Sequence, residues 1–101
     1  MRMIIFFDLP NNTLEEKKEY RKFRKFLIKE GFIMLQYSVY IKLTLNQTMT
    51  NIVKNRIYKN KPKDGFVQLL TITEKQFQSI ENIIGSNSYN TVDSDDGVII
   101  L

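Results

Sequence analysis

The apolar residues of this chain occur either in short continuous runs or at helical spacing. An unbroken apolar run at residues 3–7 ends just before Asp8 and Pro10, which predicts a short strand buried on both faces at the centre of a sheet. Residues 66–71 and 97–101 predict two more strands. Residues 32–43 must also contain strand, although they lack glycine, proline and asparagine. They predict either one long bent strand or two short strands hinged near residues 36–38.

The first helical pattern begins at Thr13, because Thr13 and Glu16 have the spacing of a capping box. It ends near Glu30 and Gly31, where the glycine suits a left-handed cap. At 100° per residue its apolar side chains fall within one arc of roughly 120°. They are Tyr20, Phe23, Phe26 and Leu27. This arc predicts the side of the helix that packs on the sheet.

Two further helices are predicted. Residues 46–60 are amphipathic, and Arg56 lies within the apolar side, either as an edge residue with a buried aliphatic stem or as a cation at an interface. The apolar residues of that side are Leu45, Met49, Ile52, Val53 and Ile57. A second capping box, at residues 73–76, opens a short helix that ends at Gly85. Its inward residues are expected to be Phe77, Ile80 and Ile84.

The elements follow the order strand, helix, strand region, helix, strand, short helix and strand, in one domain spanning residues 1–101. This order predicts an α+β ferredoxin-like sandwich, with the helices on one face of a mainly antiparallel sheet and an additional C-terminal strand. Residues 86–96 are polar and are expected to form a mobile loop. The uncovered sheet face and the apolar end of the chain predict a homodimer. The residues of that end, expected at an interface, are Val98, Ile99, Ile100 and Leu101.

Composition limits the chemistry that this domain can perform. The 101 residues include no histidine and no cysteine, which excludes disulfides, zinc sites built on those ligands, thiol nucleophiles and imidazole bases. The sequence also lacks an apolar run of membrane-spanning length and a signal-peptide pattern. We therefore expect a soluble cytoplasmic protein that makes no membrane contact.

Positive charge is concentrated in the first two thirds of the chain. Residues 1–63 carry 14 basic and 5 acidic side chains, a net charge of +9, whereas residues 64–101 carry 1 basic and 6 acidic side chains, a net charge of −5. On the first helix, an arc of roughly 160° opposite the aromatic residues contains Lys17, Lys18, Arg21, Lys22, Arg24, Lys25 and Lys29. A basic loop adds Lys59, Lys61 and Lys63.

Clustering these cations on one side of a helix lowers its stability. Like charges four residues apart, such as Lys18 and Lys22, destabilise an isolated helix by about 0.2–0.5 kcal/mol per pair. A solvated surface is one interpretation of the cluster. The favoured interpretation is a surface that binds the phosphates of a nucleic acid.

Asp8 is the only acidic residue among the first fourteen, and it follows the predicted central strand. Ligand-binding and catalytic groups often lie beyond the carboxyl ends of central strands. Asp8 is therefore a candidate catalytic residue and metal ligand. The alternative is a structural role, in which its carboxylate starts an Asx-type turn before Pro10.

Several segments, in the same order along the chain, resemble the small adaptation subunit of CRISPR immunity, the family of CRISPR-associated protein two. They are residues 3–10, the basic helix 20–27 with Gly31 and Phe32, the Gln36-Tyr37-Ser38-Val39-Tyr40 segment, and residues 71–77. The resemblance implies a ferredoxin-like homodimer that bridges two dimers of the CRISPR integrase, with double-stranded DNA, the prespacer, lying across the assembly. It also implies a magnesium-dependent endonuclease activity on RNA or duplex DNA, in which Asp8 binds the metal.

Three functions stay open. The first is a non-catalytic DNA-binding scaffold for spacer acquisition, which is favoured because phosphate contacts do not depend on base sequence. The second is a magnesium-dependent phosphodiesterase, in which two Asp8 side chains share one Mg²⁺ ion at the two-fold axis of the dimer. The third is a toxin-like ribonuclease, or a module of the same fold that binds single-stranded RNA.

Overall fold

The computed structural model describes residues 1–85. Within these residues the chain forms four strands and three helices. In chain order they are β1 Arg2–Asp8, α1 Leu14–Lys29, β2 Ile33–Gln36, β3 Val39–Leu43, α2 Gln47–Lys59, β4 Phe66–Ile72 and α3 Glu74–Gln78. The predicted loop at residues 86–96 and the predicted terminal strand, with Val98, Ile99, Ile100 and Leu101, lie outside the described residues.

The first strand, β1, is an interior strand of the sheet. The sheet is antiparallel and has the strand order β2-β3-β1-β4. Ile4 of β1 lies opposite Ile41 of β3 on one side and Leu70 of β4 on the other. The first six elements have the order β-α-β-β-α-β, which is the order expected of a ferredoxin-like sandwich. The predicted α+β class and the central position of the first strand are confirmed.

Side chains of β1 alternate between two layers. Met3, Ile5 and Phe7 belong to the main core under the helices, whereas Ile4 belongs to a smaller cluster on the other face. Phe6 lies on the same face as Ile4 but is 38% exposed. The prediction that this strand is buried on both faces is therefore correct only as far as Ile5. The helices α1 and α2 cover one face of the sheet. The short helix α3 covers only part of the other face.

The helix α1 packs its aromatic side on the sheet, as predicted. The Thr13 hydroxyl accepts a hydrogen bond from the Glu16 backbone N–H, and the Glu16 carboxylate accepts one from the Thr13 N–H, so the capping box is complete. Phe23 and Leu27 are buried in the main core, with Tyr20 and Phe26 at its border. The helix ends at Lys29 with Glu30 as its cap, and Gly31 follows with a φ of +100°, a left-handed conformation that glycine adopts without steric cost.

Residues 33–43 form two short strands rather than one bent strand. β2 and β3 pair in antiparallel fashion, and only Tyr37 and Ser38 connect them. Ser38 has a φ of +64°, a left-handed conformation that residues with a Cβ rarely adopt. Hairpins with two-residue loops usually place glycine or asparagine at such a position. The turn was therefore difficult to predict because its left-handed residue is a serine.

The helix α2 has the predicted bounds but a different buried side. Its buried residues are Thr50, Val53 and Ile57. The other residues predicted to point inward are exposed, and they are Leu45, Met49 and Ile52. A buried hydrogen bond of 2.7 Å joins the hydroxyls of Thr50 and Thr44. The Thr50 hydroxyl also hydrogen-bonds to the Asn46 carbonyl oxygen at 3.1 Å. With both partners present, Thr50 is buried without an unsatisfied polar group, where Met49 was expected to point inward.

The short helix α3 begins at the predicted capping box but ends at Gln78, before the predicted end at Gly85. Phe77 is buried in the cluster on the second face of the sheet, whereas Ile80 and Ile84 are exposed. The prediction of three inward residues is correct only for Phe77. None of the helices in residues 1–85 combines the length and the apolar character that crossing a membrane requires.

Two ion pairs join elements that are distant in the sequence. Arg2 of β1 donates from Nε to Glu74 Oε1 of α3 at 2.8 Å, and its guanidinium lies 4.3 Å from the centroid of the Phe77 ring. Arg56 of α2 lies 3.2 Å from Glu30 at the end of α1. Arg56 therefore links the ends of the two main helices, and its mostly exposed side chain is not buried in the core.

Candidate nucleic-acid interface and the position of Asp8

The seven predicted cations of α1 lie together on its exposed side, and we call this surface the basic face. Its members are Lys17, Lys18, Arg21, Lys22, Arg24, Lys25 and Lys29, all of them exposed. Within residues 1–85 none of them lies at ion-pair distance from a carboxylate. Because no carboxylate of residues 1–85 neutralises their charge, we expect these side chains to attract an external polyanion.

Arg24 differs from the other members of the basic face because it is held at the border of the core. Its Nε donates a hydrogen bond of 3.0 Å to the hydroxyl of Tyr40. Tyr40 is buried, and its ring stacks on that of Phe7 with 5.6 Å between the ring centroids. This contact directs the guanidinium of Arg24 toward β3, so the basic face reaches the side of the sheet.

The end of α2 brings two more cations beside the basic face. Lys22 of α1 lines one shallow depression together with Lys59 and Lys61. These residues are far apart in the sequence, and the packing of α2 beside α1 makes them neighbours. The basic helix and the first part of the basic loop therefore form one surface.

Lys63, also predicted to bind nucleic acid, lies in different surroundings. It lines a depression with Asp64 and with the acidic start of α1, which contributes Glu15, Glu16 and Glu19. Nearby carboxylates attract the ammonium group and repel phosphates, so this position is less favourable for a nucleic acid. Glu19 and Pro62 line both depressions, so Lys63 lies next to the depression of Lys59 and Lys61 but among the carboxylates at the start of α1.

Lys54 is a cation of this region that was not predicted. It lines a groove with Tyr58 and Lys61, between α2 and the edge strand β4. Lys54 and Tyr58 are four residues apart, which is the spacing of neighbours on one side of a helix, whereas Lys61 follows the end of α2. The sequence therefore contains the spacing that places Lys54 beside Tyr58. The prediction for residues 46–60 considered only the apolar side of the helix and Arg56.

Asp8 is the last residue of β1, and it is exposed on the sheet face that α1 and α2 do not cover. It lies opposite Phe66 of β4. The chain approaches closely here, because a Cβ added to Gly65 would come within 2.6 Å of the Asp8 carbonyl oxygen. Within the described residues the Asp8 carboxylate forms no ion pair and no hydrogen bond. The Asx-type turn therefore lacks its hydrogen bond, and the carboxylate is free to bind a ligand.

A single carboxylate is an incomplete magnesium site. Mg²⁺ requires octahedral oxygen ligands and is usually held by one or two carboxylates together with waters and phosphates. Between residues 1 and 85 no three acidic side chains come together in a way that suits a metal ion. The free carboxylate of Asp8 fits such an ion only if a second chain or a bound nucleic acid supplies the other oxygen ligands.

The sheet face around Asp8 is apolar and only partly covered, and we call it the open face. Phe66, directly opposite Asp8, is 74% exposed. The large apolar residues exposed on this face are Phe6, Ile33, Leu43, Phe66 and Leu70. Exposed apolar side chains gathered on one face are common at surfaces through which proteins associate.

The order of the elements, the position of Asp8 and the basic α1 agree with one family of known proteins. The family model described as "CRISPR associated protein Cas2" matches residues 1–80. The chain belongs to the Cas2 family. This match confirms the resemblance to the Cas2 family that four segments of residues 3–77 indicate.

Two Cas2 relatives are similar over the whole chain. "CRISPR-associated endoribonuclease Cas2" of Streptococcus mutans serotype c is 48% identical over 101 residues, which is 100% of this chain and 93% of that protein. The protein of the same name from Treponema denticola is 48% identical over 101 residues, which is 100% of both chains.

A crystal structure of Streptococcus pyogenes Cas2 at pH 6.5 has a similar fold. The TM-score is 0.63, the sequence identity is 16%, and the match covers 84% of this chain and 100% of that chain. At this level of identity the similarity concerns the fold alone. It supports a Cas2-like sheet with two main helices.

Proposed function

We propose that this Cas2 protein is a subunit of CRISPR adaptation that forms a homodimer, binds double-stranded DNA through its basic face and bridges dimers of the CRISPR integrase. The basic face is the main support, because its seven cations have no carboxylate partner within residues 1–85 and stand opposite the buried side of α1. Contacts to phosphates are independent of base sequence. Such binding suits a protein that must accept a prespacer of any sequence.

The proposed dimer forms through the open face. Apolar surface removed from water contributes about 25 cal/mol per Å², and Phe66 and Leu70 are among the side chains that a partner would cover. A two-fold axis that passes close to Asp8 would bring the two Asp8 carboxylates face to face across the interface. Residues 98–101 are proposed to extend the interface with the second chain or with the integrase.

A magnesium-dependent endonuclease is the second candidate function. Both full-length relatives bear the name endoribonuclease, and the free Asp8 carboxylate supports the same chemistry. Two Asp8 carboxylates of a dimer would hold the ion, which when bound supplies an activated water for phosphodiester hydrolysis. The cations of the basic face would bind the phosphates of single-stranded RNA or duplex DNA. A toxin-like ribonuclease or an RNA-binding module has no separate observation in its favour.

A spacer-integration assay with the co-purified integrase separates the two candidates. We expect Asp8→Ala to support integration as well as the wild type does, because Asp8 lies away from the basic face on the open sheet face. The amount of integrase that co-purifies with each variant serves as the control. Loss of integration by Asp8→Ala, with integrase binding unchanged, would assign the function to chemistry and overturn the scaffold.

Asp8→Asn tests the metal directly, because it keeps the size of the side chain and removes its charge. We expect it to abolish nucleic-acid cleavage and any stabilisation of the dimer by magnesium, while duplex binding is retained. Thermal unfolding with and without Mg²⁺, beside a cleavage assay, measures both effects. Cleavage that persists in Asp8→Asn, or in wild-type protein treated with EDTA, would contradict a role for Asp8 as metal ligand.

A further inference from the structure

An exposed tyrosine, Tyr37, stands beside the basic face at the turn between β2 and β3 and packs on the half-buried Tyr20. Tyr37 is 74% exposed. Its ring stacks on that of Tyr20, with 6.1 Å between the centroids and 22° between the ring planes. Within residues 1–85 Tyr37 contacts no other aromatic ring. Because Tyr20 is a residue of α1, the stack is adjacent to the cations of that helix.

The turn that carries Tyr37 is fixed in an unfavourable conformation. Ser38 has a φ of +64°, and residues with a Cβ keep such a conformation only where the surrounding structure imposes it. Two hydrogen bonds impose it here. The Phe7 N–H donates to the Ser38 carbonyl oxygen at 3.1 Å, and the hydroxyls of Ser38 and Tyr20 lie 3.2 Å apart. The turn is therefore held by both the sheet and α1, and it presents Tyr37 in one orientation.

The groups around the Tyr37 ring are compatible with a polyanion. Arg24, held by Tyr40 at 3.0 Å, is close enough to influence the Tyr37 hydroxyl electrostatically. Hydrogen bonding with Tyr20 raises the pKa of Tyr37. A tyrosine phenol, whose ordinary pKa is about 10, is neutral at physiological pH, so the Tyr37 hydroxyl does not repel phosphates.

We propose that Tyr37 is a stacking site for an unpaired base of a nucleic acid whose phosphates lie on the basic face. The inference rests on the proposed function and adds a class of ligand to it. Phosphate contacts bind paired and unpaired strands alike, whereas an exposed ring gains affinity only from a base that is not already stacked in a duplex. The Tyr37 ring would stack on the base, while the neighbouring cations of the basic face would bind the phosphates. The site therefore favours a strand with an overhang or bulge over a blunt duplex.

The test compares a blunt DNA duplex with the same duplex carrying a single-stranded overhang, by fluorescence anisotropy at one salt concentration. We expect the wild type to bind the overhang DNA about tenfold more tightly, the size of effect that one base stacked on an aromatic ring produces. Tyr37→Ala should lose this preference and bind the blunt duplex as the wild type does. Tyr37→Phe keeps the ring and should keep the preference.

A third DNA separates stacking from simple phosphate contact without any protein variant. Its overhang is made of abasic nucleotides, which keep the phosphates and lack the bases, and we expect wild-type protein to bind it no better than the blunt duplex. Equal affinity of the wild type for the abasic and the normal overhang would overturn the stacking site, as would a preference for the overhang that survives in Tyr37→Ala. In either case salt-dependent binding of the blunt duplex would leave the proposed function intact. Absence of binding to all three DNAs would overturn both.

Discussion

Removing three lysines from the centre of the basic face should change the salt dependence of DNA binding by an amount that can be stated in advance. Lys18, Lys22 and Lys25 are exposed and have no carboxylate partner within residues 1–85. Each phosphate that a cation neutralises releases condensed counterions and contributes about −0.9 to the slope of log K against log salt for a duplex. Replacement of all three by alanine should therefore make the slope less negative by about 2.7.

The same replacements should leave the fold intact. Lys18, Lys22 and Lys25 lie away from Phe23 and Leu27, which are the buried residues of α1. The variant loses the repulsion between Lys18 and Lys22, worth about 0.2–0.5 kcal/mol, and alanine has the highest helix propensity. We expect a free energy of unfolding equal to or above that of the wild type, measured by urea denaturation.

Anisotropy titrations with a labelled duplex at several salt concentrations measure the slope. Lys22→Ala alone should change it by about 0.9. Lys75→Ala is the charge-matched control, because Lys75 belongs to α3 and is not part of the basic face, and it should leave the slope unchanged. A triple variant with the wild-type slope, or a change in Lys75→Ala as large as that in Lys22→Ala, would show that the basic face is only solvated.

Three further predictions concern the dimer, the first helix cap and acid stability. Leu70→Glu adds a charge to the open face and should convert a dimer into monomers in sedimentation experiments, whereas an unchanged dimer would exclude this face as the interface. Thr13→Ala removes the acceptor of the Glu16 N–H and should lower the free energy of unfolding by about 1 kcal/mol, measured by urea denaturation. Hydrogen bonds from Arg2 lower the pKa of Glu74 from its ordinary 4.5, so the ion pair stabilises the fold above that pH and is lost as the pH falls through the lowered value. Glu74→Gln should therefore weaken the pH dependence of unfolding in that acidic range, and an unchanged acid profile would contradict a stabilising ion pair.

Tertiary contacts decided which of the predicted site residues act together. Asp8 could be singled out in the sequence as an isolated acid after an apolar run, but its exposure on the open face opposite Phe66 follows from the pairing of β1 with β4. Likewise, the sequence alone predicts that the cations of α1 lie on one side of the helix. Only the packing of α2 beside α1 brings Lys61 to Lys22 and leaves Lys63 beside the acidic start of α1.

The sequence by itself determined the features that depend on neighbouring residues. The capping boxes at Thr13 and Thr73 and the helical spacing of Phe23 and Leu27 predicted where two helices begin and which side of α1 is buried. Caps and amphipathic periods involve residues within one or two turns of each other, so a single sequence contains them completely. The central position of β1 followed in the same way from an unbroken apolar run.

Only the tertiary structure decided the features that join residues distant along the chain. The helix α2 buries Thr50 because Thr44 offers it a hydroxyl at 2.7 Å, and no helical period reveals that partner. The stack of Tyr37 on Tyr20 depends on a left-handed Ser38 that the sheet and α1 hold in place. Such contacts arise from the way in which helices and strands pack. A single sequence does not show which residues that are distant along the chain come into contact.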